Sequence, residues 1–280
     1  MRRLLFVGFL LGYVVLILPF TDFLAQRPVE VKLGYLPHPQ LLKILSADHE
    51  LLVAEMSVVK VLFYFGTIVQ KFHDNVIIRP EHANMYRTLH TATPLDPFFT
   101  DAYYFAQAAF TWELNRVAEV NKLLIHGAKY RTWDPWINFY LGFNYSYFLK
   151  DYSNAAKYLR RAGELAPQNA LFTKLAARYF YESDQTEAGL AYLEAMIAGA
   201  KDKAVRQTYQ TRYNALWAVL TLERATSAFL KRTGRQPDGL DELVQEGFLA
   251  QIPEDPYGGT FYLDEANRVR STSKFANPNL

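Results

Sequence analysis

Two stretches of the chain repeat the same order of small and bulky residues, and no other feature limits the fold as much. Ala155 and Ala188 stand 33 positions apart. Around the first, Ala155, Leu159, Ala162 and Pro167 follow one another within Asn154–Asn169; around the second come Leu175-Ala176, Tyr179, Ala188, Tyr192 and Ala195. Small residues let two antiparallel helices approach closely, a bulky residue fills the space between successive pairs, and proline ends the helix. Leu141-Gly142 and Tyr145 supply the first helix of the earlier pair, and Asp151-Tyr152 make its turn, one residue longer than in the later pair. A third, degenerate pair precedes both, with helices over Tyr104–Trp112 and Val117–Ala128, and Asp134-Pro135 opens the next. A period near 33 residues means stacked helix pairs, each burying a face that it cannot bury alone.

The spacing resembles that of tetratricopeptide (TPR) repeats. The fold class expected is all-α: a TPR-like, right-handed helical-repeat stack with an N-terminal membrane helix and a small C-terminal β-hairpin. The boundaries expected are a signal anchor over 1–24, a helical segment over 25–92, the repeats over 93–203, a capping helix over 204–232, and a helix-plus-hairpin module over 233–280. Within the second of these, Gln40–Phe72 reads as one or two apolar helices and Glu81–Thr91 as another. The capping helix, Ala204–Arg232, carries Tyr209, Tyr213, Leu216, Leu220 and Phe229, and would cover the exposed face of the last repeat.

At the N-terminus, Arg2-Arg3 precede 17 uncharged residues, Leu4–Phe20. That length is at the short limit of a bilayer span. If Ala25 stood at −1 of a cleavage site, bulky Phe23 would occupy −3, so an uncleaved anchor is favoured over a signal peptide removed after export. The two arginines stay on the cytoplasmic side and the body lies outside, in the periplasm of a bacterium. A second apolar stretch, Leu51–Val69, holds Glu55 and Lys60 and reads as a buried core helix, because mid-membrane charge is costly.

From Thr233 the texture changes. Gly234 and Pro237 break the long helix, Asp238–Glu246 reads as a short helix closed by Gly247, and Thr260–Leu263 and Arg268–Thr272 flank a turn. Pro237, Leu240–Val244, Asp255-Pro256-Tyr257-Gly258 and Phe261-Tyr262 resemble the C-terminal segment of type II secretion pseudopilins. That resemblance implies calcium, with Asp255, Asp264 and Glu265 as the available oxygen ligands, although a structural hairpin packed on the last helix is the favoured reading. As a whole the chain resembles a poorly characterised family of membrane-anchored bacterial TPR proteins. The residues that carry this likeness are Leu45-Ser46-Ala47, Leu51–Glu55, Tyr64-Phe65-Gly66, Leu95-Asp96-Pro97-Phe98, Gly142-Phe143 and Asp255–Gly259. The likeness implies a scaffold and carries over no catalytic residue.

Chemistry-bearing motifs are sparse. The chain has no cysteine, so thiolate chemistry, disulfides and a lipoprotein anchor are excluded. Its net charge of +2 does not point to nucleic acid. His49-Glu50 begins an HExxH pattern, but Val53 holds the second histidine's place. No enzyme activity, cofactor or metal is expected. What remains is surface: a concave face with Tyr104, Gln107, Thr111, Trp136, Asn138, Asn144, Lys174 and Arg178 as candidate partner-binding residues. The aromatic run from Trp133 to Phe148 is denser than repeat packing requires. The function expected is docking of protein components of an envelope, secretion or export complex at the inner membrane, with a peptide- or sugar-binding groove as the alternative.

Overall fold

The structure, a computed structural model, describes residues 2–25 and 31–275. The start of the expected N-terminal helical segment and the last five residues of the expected C-terminal module lie outside the described residues. The protein is an all-α helical-repeat chain with a small C-terminal hairpin. It divides into two compact units, Met1–His126 and Gly127–Leu280. That border falls inside the segment expected to hold all the repeats.

In the first unit, α1 (Arg2–Ala25) is a continuous helix with Pro19 inside it, and Phe6, Phe9, Leu16 and Phe20 are exposed. Its described apolar run, Gly8–Phe23, is shorter than a full membrane span. Next come α2 (Pro39–Ser46), a 3-10 turn (Ala47–His49) and α3 (Glu50–His73). Among the described residues, the run Pro39–His73 is long and apolar enough to cross a membrane by length and composition. The expected core helix within it is buried on one side only. Ala54, Val58, Val61 and Ile68 are interior, whereas Leu52, Met56 and Phe63 are exposed. The buried side packs on α4 (His82–Ala92). There the Tyr64 hydroxyl accepts a hydrogen bond from Glu81 N at 2.8 Å. Then α5 (Thr100–Phe105) runs into a π-helix (Ala106–Glu113), closed by Arg116 N donating to Phe110 O at 2.8 Å. A π-helix has a wider turn than an α-helix, so the face presented by Ala106–Glu113 departs from the 3.6-residue period. Helix α6 (Val117–Tyr130) follows.

The second unit holds the two clear pairs, α7 (Pro135–Tyr147) with α8 (Tyr152–Leu165), and α9 (Ala170–Glu182) with α10 (Thr186–Gly199). Their starts are set locally by capping. Asp134 accepts from Trp136 N at 2.9 Å, Asp151 from Asn154 N at 3.0 Å, and Asn169 from Leu171 N at 3.2 Å. Close approach is severe between α7 and α8. A Cβ added at Gly142 would stand 2.5 Å from Leu159 Cγ. Ala155, Leu159 and Ala162 are buried as expected. Their counterparts in α10 differ, because Tyr192 is buried but Ala188 and Ala195 face a cleft of about 620 Å³ bounded by α8. The reason is the neighbours: α8 lies between α7 and α9, whereas α10 turns its buried side to α9 and α11 (Lys203–Thr233).

Helix α11 starts at Asp202, which accepts from Val205 N at 2.9 Å, and ends at Gly234 in the left-handed conformation that glycine adopts at least cost. After α12 (Leu240–Gln245), β1 (Phe261–Leu263) and β2 (Val269–Ser271) pair antiparallel, Phe261 opposite Ser271. The hairpin is packed on α11, with Phe261 and Val269 in the same core as Leu216 and Phe229.

Gly142→Ala is expected to cost about 1–3 kcal/mol by overpacking. Urea unfolding should show that adding Leu159→Ala costs less than the sum of the two single changes, because the smaller side chain removes the clash.

Candidate functional site

The eight residues expected on a concave face have three different fates. Gln107, Thr111, Asn138 and Asn144 are buried, and the Asn138 amide donates to Asp134 O at 3.2 Å within its own helix. They are interior to their units, because helices packed on more than one side turn polar positions inward along with apolar ones. Tyr104, in the first unit, and Trp136, in the second, are exposed. Lys174 and Arg178, one turn apart on α9, come together in a cleft of about 330 Å³ in the second unit.

That cleft is built by three segments far apart in sequence. From α9 come Leu171, Lys174, Leu175 and Arg178; from α11 come Thr208, Thr211 and Arg212; Tyr257 and Phe275 from the C-terminal module complete it. Arg212 is its most unusual member. It is 4% exposed, its Nη2 donates to Phe275 O at 2.7 Å, and its Nε and Nη1 have no hydrogen-bond partner among the described residues. The guanidinium carbon lies 4.8 Å from the centre of the Tyr257 ring and 5.5 Å from that of Phe275. Cation–π attraction of this kind offsets part of the desolvation of a buried charge. Burial pulls the Arg212 pKa below its ordinary range, and Arg178 adds to that pull, while Tyr257 and Asp255 oppose it.

Arg212, Tyr257 and Phe275 were not among the residues expected from sequence. One signal was present: Arg212 interrupts the apolar stripe formed by Tyr209, Leu216 and Leu220 on α11, and all four side chains are buried. Its partners were out of reach of pattern reading, because they come from a segment more than 40 residues later.

Of the three carboxylates named for calcium, Asp255 and Asp264 are occupied by donors of their own chain, and Glu265 is exposed. Asp255 is buried and accepts from the hydroxyls of Ser271 and Ser273, and from Tyr257 N at 2.8 Å. Asp264 accepts from Ala266 N and Arg268 N, each at 2.9 Å, and pairs with the Arg268 side chain. Among the described residues, no group of three or more His, Asp or Glu is placed to hold a metal.

A second surface lies on α7, where Trp136, Phe139, Phe143 and Tyr147 form a ladder. Successive ring centres are 5.7, 6.4 and 5.3 Å apart, and the last pair is stacked at 10°. Trp136 is 51% exposed and Tyr147 52%, although Trp136 also touches the buried ring of Phe172 on α9. No protein-family model matches this chain, and no curated protein matches it.

The hairpin's seat on the repeats can be titrated. Tyr181 on α9 donates to Val269 O at 3.1 Å, and burial raises its pKa from 10.0 to about 12. The unfolded chain loses this proton first, so stability is expected to fall as pH rises between those two values. Tyr181→Phe should flatten that part of the curve in chemical unfolding measured at successive pH values.

Proposed function

We propose that the protein is a membrane-anchored scaffold of TPR type that docks other protein components of an envelope, secretion or export complex. The observation that carries this reading is the aromatic ladder of α7. Large aromatic side chains left half in solvent along one helix are what protein interfaces use as anchors, because they bring much contact area on few rotatable bonds. The cleft between α9 and α11 gathers cations and apolar walls rather than an acid–base pair, which favours binding over catalysis.

The anchor is α1. It follows Arg2-Arg3, is free of charge from Leu4 to Phe20, and exposes apolar side chains all round, as a helix meant for lipid does. On this reading the arginines face the cytoplasm of a bacterium and both units lie in the periplasm, tied to the inner membrane by one span.

Topology is tested with a tag after Leu280, which should be accessible only from the periplasmic side; a cytoplasmic tag would show that Pro39–His73 also crosses the membrane. Docking is tested with a photo-crosslinking residue at Tyr147 in native membranes. Discrete adducts with envelope proteins, lost on Trp136→Ala, are expected. A clean absence of adducts from Tyr147 and from Trp136 would remove α7 as the docking face.

A further inference from the structure

We propose that the cleft between α9, α11 and the C-terminal module binds a carboxylate carried on an apolar body. This goes beyond the scaffold reading and stands on different residues from the α7 ladder.

Charge is the first ground. Lys174, Arg178 and Arg212 all line the cleft, and among the described residues no carboxylate does. The nearest acidic groups do not neutralise it. Glu182 reaches only Arg178 Nε, at 3.9 Å, and Asp255 is engaged by two serine hydroxyls and a backbone N–H. Buried cations are ordinarily paired. Here Arg212 has two guanidinium nitrogens without a hydrogen-bond partner among the described residues, beside aromatic rings that attract the cation. An anion seated in the cleft would complete this set.

The walls narrow the class. Leu171, Leu175, Tyr257 and Phe275 give the anion an apolar surround. Such walls disfavour a strongly hydrated inorganic dianion and favour an acid with a hydrocarbon or aromatic body. About 330 Å³ is at the small end of ligand sites, which run from about 300 to 1,000 Å³. One carboxylate with one side-chain-sized group fits that space. One oxygen would turn inward to the Arg212 guanidinium, and Lys174 and Arg178, one turn apart on α9, would hold the other at the mouth, with the apolar body against Tyr257 and Leu175. Such a carboxylate could be a free organic acid or the end of a peptide, and the chemistry of recognition is the same for both.

The test uses the full chain in detergent micelles, with 3-phenylpropionate, its amide, N-acetylphenylalanine as a mimic of a peptide end, and inorganic phosphate. Binding is read by saturation-transfer NMR and by the shift of the thermal unfolding midpoint. The acid should bind at least tenfold more tightly than its amide, and phosphate should compete poorly. Lys174→Gln and Arg178→Gln should each weaken the acid about tenfold, the loss expected for one charged hydrogen bond. Both side chains are partly exposed, so the unliganded midpoint should stay in place, and Arg160→Gln in the α8–α10 cleft should bind as the unaltered protein does. Tighter binding of N-acetylphenylalanine would identify a chain end as the ligand's source, and tighter binding of 3-phenylpropionate a free acid; either supports the site. Equal binding of acid and amide, phosphate binding as tightly as the acid, or unchanged affinity in both α9 variants would overturn it.

Discussion

How closely two helices can approach is what the second unit depends on. Between α7 and α8 the Leu159 side chain lies so close over Gly142 that there is no room for a single added carbon. Contact at that distance is available only where one partner is glycine, and it holds α8 against α7. Because α8 is held in this way, α9 packs on its far side, α10 and α11 follow, and α9 and α11 come to flank the cleft. A methyl group at position 142 would act on all of them through that one contact.

On this frame the C-terminal module is fastened by groups that are costly to bury and therefore specific when satisfied. Arg212 holds the Phe275 carbonyl, Tyr181 holds that of Val269, and Asp255 gathers two serine hydroxyls. Phe275 itself lies against the rings of Tyr181, Tyr257 and Phe261. The same fastening leaves part of the Arg212 guanidinium without an acceptor among the described residues and puts aromatic walls beside it. A structural clamp and a site with spare positive charge therefore share one side chain.

The first unit shows the other side of helical amphipathicity. Helix α3 reads in sequence as apolar almost throughout, and such a run ordinarily means burial on all sides. In the fold only the side that meets α2, α4 and α5 is covered, and Leu52, Met56 and Phe63 remain exposed. Composition cannot separate these cases, because it counts apolar residues without knowing how many neighbours the helix will have.

Much of the fold was legible in the sequence where the physics is local. Asp134, Asp151 and Asn169 cap helices within a few residues of themselves, Gly234 ends α11 in a conformation that suits glycine, and Asp264–Asn267 turn the hairpin. Those elements follow from capping and backbone sterics, which need only near neighbours. What depends on distant neighbours was decided in three dimensions. The equivalence of Ala155 and Ala188 in sequence did not carry over to burial, because α10 has different helices beside it. Lys174 and Arg178 were recognised as surface residues of α9, but the residues that make a cleft of them, Arg212, Tyr257 and Phe275, arrive from α11 and the C-terminal module. Local signals in the chain place most helices to within a few residues, because capping and backbone sterics act between near neighbours; which faces met, and so which charges gathered around one cleft, followed from packing between segments far apart in sequence.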